Sequence, residues 1–115
     1  MARNPPQKNP KDAIKEQMTR RVVSSFLDVF VVYHFKDQEF SGYDVTQYIN
    51  KKLNVWLSPG TIYSTLYTME REGYLEVVSG EKKRVFKVSK KGKMLEEVFS
   101  CPTDMLKHMQ GLMEK

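Results

Sequence analysis

Thr61, Ser64 and Tyr67 stand three residues apart, Thr68 follows four residues after Ser64 and Arg71 three after Thr68, and Tyr63 lies at their flank. On a helix these residues share one face. Hydroxyls and planar rings of this kind lose little rotamer freedom on contact. They can donate to phosphate oxygens or to base edges, while threonine methyls can meet thymine. Such a face suits close approach to a groove in a nucleic acid. The two tyrosines, four apart, could equally seal the edge of a core, since a buried tyrosine needs only one partner for its hydroxyl. Other chemistry finds little footing. The acidic residues scatter among basic ones, and no nucleophile has a candidate base nearby, so no catalytic residues are expected. A single cysteine, Cys101, and two histidines, His34 and His108, leave no disulfide framework and no metal-ligand spacing. No cofactor is expected either.

The elements around that face can be read in order. Ser58 is placed to cap a helix with Pro59 at its first position, where the missing N–H costs nothing, and Gly73 closes it. Ile62, Leu66 and Met69 form its buried stripe. Before it, Ile14, Met18, Val22, Phe26, Phe30 and Tyr33 keep helical spacing from Asp12 until "KDQEF", as one long helix or two abutting ones. Ser41 with Asp44 makes a capping box for a short second helix through Val45, Ile49 and Leu53. Residues 55–57 read as a short extended strand, with Trp56 expected to pack on the helix that follows. Residues 74–78 and 84–88 read as two strands joined by a turn at Ser79-Gly80. Helix, helix, short strand, helix and hairpin is the order of a winged helix-turn-helix, an α+β class that is mainly α. Its third helix enters the major groove and its hairpin wing touches the backbone.

Charge supports the same arrangement. The chain has 115 residues, a net charge of +5 and an ordinary apolar fraction of 40%. Residues 76–93 carry seven lysines and arginines against two glutamates, and the first 21 residues are also basic. Basic protrusions on an otherwise balanced chain suit a polyanionic partner. The start, "MARNPPQKNPKD", lacks the apolar stretch of a signal peptide and no run is long enough to span a bilayer, so a cytoplasmic protein without membrane contact is expected.

The stretches "SGYDVTQYI", "SPGTIYSTLYTMEREGYL" and "KRVFKVSKKGK" together resemble the PadR-like transcriptional regulators. Gly42-Tyr43, Gly60-Thr61-Ile62-Tyr63, Met69-Glu70 with Gly73, Arg84 with Phe86, and Ser89 with Gly92 occupy the places of the family's pattern over roughly residues 20–95. Ser64 stands where the family commonly has proline, and Phe86 replaces its usual tyrosine. The resemblance implies a dimeric DNA-binding regulator, most often a repressor. It also implies that some members answer to small aromatic or lipophilic effectors.

Leu95, Val98, Pro102, Met105, Met109 and Leu112 repeat at alternating steps of three and four, and Phe99, Leu106 and Met113 widen the stripe. This is a seam of two and a half heptads, either between two copies or against the chain's own core. Pro102 either kinks a continuous helix or starts a new one with Cys101 as a poor cap. The resulting expectation is a flexible basic arm over residues 1–11, a winged helix over 12–93 and a C-terminal dimerisation helix over 94–115. Ser58, Thr61, Tyr63, Ser64, Tyr67 and Thr68 read the groove of double-stranded DNA. Lys82, Lys83, Arg84 and Lys87 meet its backbone, and Val98, Phe99, Met105, Met109 and Leu112 join two copies over an inverted repeat. The alternatives are a winged helix that docks an acidic protein partner and a nonspecific DNA coat.

Overall fold

The computed structural model describes residues 9–79 and 83–114. The N-terminal helical pattern resolves into two helices, α1 (Pro10–Ser25) and α2 (Leu27–Phe35), that part at Phe26, which leaves helical geometry at φ −113° and ψ 25°. The paired Ser24 and Ser25 just before it are weak helix formers. Composition also changes sharply there. Nearly all of α1 is exposed, whereas Leu27, Val29, Val31, Val32 and Phe35 of α2 are buried, so α2 is the central strut of the core.

Ser41 caps α3 (Gly42–Gln47) by the expected reciprocal pair: the Asp44 amide donates to Ser41 Oγ at 3.2 Å and the Ser41 amide to Asp44 Oδ2 at 2.8 Å. A π-helical turn, Tyr48–Lys52, follows and carries Ile49 into the core. Helix α4 (Pro59–Arg71) starts as its sequence dictates, with the Thr61 amide donating to Ser58 Oγ at 3.2 Å. It ends at Gly73, whose φ of +87° is open to glycine without penalty. Strands β2 (Leu75–Ser79) and β3 (Val85–Val88) form the hairpin, with a register irregularity between Val77 and Ser79.

The short strand lies elsewhere than expected. Residues 55–57 pair with no strand. The Leu57 amide is satisfied by Asn50 Oδ1 at 3.2 Å and the Val55 amide by the Ile49 carbonyl at 3.2 Å. The third strand is instead β1 (Phe40–Ser41), antiparallel to β3 with Phe40 opposite Phe86, so the sheet order is β1-β3-β2. Phe40 stacks on Phe35 at 4.6 Å between centroids, tying the sheet edge to α2. Trp56, expected to pack on α4, is 64% exposed and borders a depression shared with Ser58 and Thr61 at the start of that helix.

At the other end of the sheet Ser89 caps α5 (Lys90–Val98). Pro102 then starts a new helix, α6 (Pro102–Met113), with no side-chain cap from Cys101. Asp104 faces backward from the first turn and accepts from the Ser100 amide at 3.0 Å.

His34 is held by rings: it stacks on Tyr48 at 3.9 Å and 12° and meets Phe35 edge-on at 4.6 Å. Burial, and then the charge of Lys52, hold its pKa below the ordinary 6.5. The unfolded chain therefore takes up the His34 proton before the folded one does. Its contribution to stability is complete above pH 6.5 and is lost as pH falls toward the lower folded pKa. The difference in melting temperature between wild type and His34→Phe should accordingly shift as pH drops below that value. A difference that stays constant with pH would show that His34 titrates alike in both states.

Candidate nucleic-acid interface

The amphipathic character of α4 sets the site. Ile62, Leu66 and Met69 are buried, which turns Thr61, Ser64, Tyr67, Thr68 and Arg71 outward. Ser64 and Tyr67 are exposed, while Thr61, Tyr63 and Thr68 are half-buried at the edges of the face. Two of the hydroxyls already have partners in the helix. Thr61 Oγ1 lies 3.0 Å from Ser58 Oγ, and Thr68 Oγ1 accepts from Arg71 at 3.1 Å. Ser58 thus works first as the cap of α4.

Tyr63 has a structural task as well. Its ring lies over the α-carbon of Gly42, where a β-carbon would fall 2.2 Å from Tyr63 Cε1. This contact joins the first turn of α3 to the middle of α4 and gives Gly42 its reason. Tyr63 and Tyr67 lie side by side with ring centroids 6.2 Å apart. The two readings of the tyrosine pair therefore divide between them: Tyr63 seals, and Tyr67 faces out.

The hairpin closes one side of this surface. Lys83 and Arg84 immediately precede β3 at the turn end of the hairpin, and with Gly42, Tyr43, Tyr63 and Tyr67 they line a depression of about 350 Å³ between α3, α4 and the wing. The Arg84 guanidinium pairs with the Glu70 carboxylate and sits 5.5 Å from the centre of the Tyr67 ring. Lys87 lies further along β3 and faces Glu76 of β2 at 3.6 Å, which partly offsets its charge. Lys82 falls outside the described residues. Glu70 and Tyr43 join the site without being expected there from the sequence, although both belong to the family-like stretches. Arg20 and Arg21 are further additions: they border, with Ser58 and Thr61, a second depression at the start of α4. The basic count of the N-terminal segment is their only trace in the sequence.

The C-terminal residues separate into two groups. Met105 is buried within the chain, Phe99 is half-buried with its ring against His108 at 5.7 Å, and Val98, Met109 and Leu112 are exposed together with Leu106 and Met113. On α1, Ile14, Met18 and Val22 form a second uncovered apolar stripe. Among the described residues no cluster of acidic, histidine or cysteine side chains has the geometry to hold a metal ion, and no helix is long and apolar enough to cross a membrane.

Comparison with known proteins bears on what such a surface is for. The family model described as "Transcriptional regulator PadR-like family" matches residues 31–97. No curated protein matches the sequence. A padr family transcriptional regulator from Eggerthella lenta superposes with a TM-score of 0.65 at 19% identity, over 91% of this chain and 96% of that one. A PadR-like transcriptional regulator from Bacillus cereus gives 0.62 at 23% identity, over 83% and 98%. Bacillus subtilis PadR, solved in complex with operator DNA, gives 0.52 at 26% identity. That match covers 60% of this chain and 42% of the larger protein.

Proposed function

Because the chain belongs to the PadR-like family of transcriptional regulators, we propose that it binds operator DNA as a homodimer, with α4 in the major groove and the hairpin on the adjacent backbone. The carrying observation is the outward face of α4, hydroxyl-rich and continuous with the cations Lys83 and Arg84 of the wing. The operator complex of Bacillus subtilis PadR supports double-stranded DNA as the partner. Ser64, Tyr67 and Thr68 are the best placed to read bases. Thr61 and Tyr63 contribute from the edges, and Ser58 presents the helix start. Lys82, Lys83, Arg84 and Lys87 supply phosphate contacts, joined by Arg20 and Arg21.

Two uncovered apolar stripes, on α1 and on α6, support dimerisation, since a winged helix alone covers about one half-site. A dimer has a two-fold axis, so its operator is an inverted repeat. Occupancy of two major grooves at a promoter blocks it without further machinery, which makes repression the simplest output. Such a protein works in the cytoplasm.

Selection from a random pool of duplexes tests the reading. The expected outcome is convergence on an inverted repeat. Binding without convergence would make the protein a nonspecific coat, and no binding would leave a protein-docking module. Tyr67→Ala should change the selected sequence more than it changes affinity for random DNA. A collapsed melting transition in that variant would instead assign Tyr67 to the core.

A further inference from the structure

We infer that Glu70 is a positioning residue that acts through Arg84 to fix the wing against α4 in its DNA-reading geometry; this rests on the DNA-binding reading above. Glu70 is the one acidic residue of α4, on a surface where a carboxylate works against a polyanion. It lies three residues beyond Tyr67, in the last turn of α4, and its carboxylate pairs with Arg84, fourteen residues further along the chain. Arg84 is thus held from two sides, by the carboxylate and by the face of Tyr67. A guanidinium carries five N–H donors in a planar fork. With one edge on Glu70, the others remain toward the depression shared with Tyr43, Tyr63, Tyr67 and Lys83.

Stability does not account for the pair. Its side chains are 44% and 31% exposed, and ion pairs in such settings contribute little to folding. What the pair does supply is orientation. An arginine at the turn end of a hairpin otherwise samples many rotamers and must be immobilised when DNA binds, at a cost in affinity. Holding it beforehand reserves the gain for the sequence that brings a phosphate to that place. Meanwhile the negative charge lowers affinity for every other duplex. Glu70 therefore raises the ratio of operator to random-DNA affinity and lowers random-DNA affinity itself.

The test compares wild type, Glu70→Ala and Glu70→Gln on the selected operator and on a random duplex over a range of salt. Glu70→Ala should bind random DNA about threefold more tightly and the operator about threefold less, so the ratio falls about tenfold. Glu70→Gln keeps a carbonyl acceptor for Arg84 without the charge. It should bind both duplexes more tightly and hold the ratio within about twofold of wild type. In an Arg84→Ala background, Glu70→Ala should no longer lower the ratio. If Glu70→Ala weakens both duplexes in proportion, or leaves the ratio unchanged while wild type selects an operator, the positioning role is wrong although the DNA reading stands. If wild type selects no operator, the reading and the inference fall together.

Discussion

Replacing Lys82, Lys83 and Arg84 together by alanine should weaken binding to every duplex, the operator more than random DNA because Arg84 is held ready for it, and flatten the salt dependence of both. Each phosphate neutralised by a cation releases condensed counterions, contributing about 0.9 to the slope of log affinity against log salt. Without the three cations the slope should fall by about 2.7. Between about 50 and about 200 mM salt, wild type should then lose about 40-fold more affinity than the variant. Lys83 and Arg84 are exposed at the mouth of the depression beside α4, which places both within reach of the backbone that borders a groove-bound helix. The variant should keep its fold, because β3 is anchored by Phe86 and Val88 in the core and an exposed ion pair such as Arg84–Glu70 contributes little to folding. An unchanged slope would remove the wing from the interface and leave α4 without its flank.

How far the sequence leads depends on whether the information is local. Ser58, Pro59 and Gly73 define α4 because caps and stops act on the backbone within one turn, and the Ser41–Asp44 box is of the same kind. The buried stripe of α4 follows from periodicity alone. Strand β1 does not show itself in the sequence because two residues carry no alternation. The β-prone residues 55–57 mislead for the opposite reason: their composition suits a strand, but their amides are taken by Asn50 and Ile49. Glu70 and Arg84 belong to two elements, and their meeting follows from the hairpin's return across α4, which no spacing rule encodes. The C-terminal stripe sits between these cases. Its periodicity marks the apolar residues faithfully, yet a helix that folds back and a helix that pairs with a copy share one pattern. The break at Phe99–Cys101 sends Met105 into the chain's own core and leaves Met109 and Leu112 facing out.

That division makes Met109→Asp the most telling substitution. Met109 and Leu112 lie three residues apart on the exposed side of α6, with Leu106 and Met113 beside them. On a lone chain an aspartate there stays in water and costs almost nothing. Between two copies it would be an unpaired charge in an apolar contact, at a cost of several kcal/mol, enough to dissociate a modest dimer. The expected product is a folded monomer that keeps weak, salt-sensitive binding to any duplex and loses its preference for two half-sites. The loss follows from geometry: specific affinity needs two recognition helices held a whole number of turns apart, roughly 34–36 Å per turn, and only the dimer builds that spacing. Met105→Asp provides the contrast, because Met105 is buried within its own chain and a charge there should unfold α6 from α2 before any question of pairing arises. Sedimentation and thermal melting at micromolar concentration separate the two variants. If Met109→Asp still sediments as a dimer, the copies meet through the other uncovered stripe, Ile14, Met18 and Val22 of α1, and the same substitution at Met18 becomes the one that should divide them.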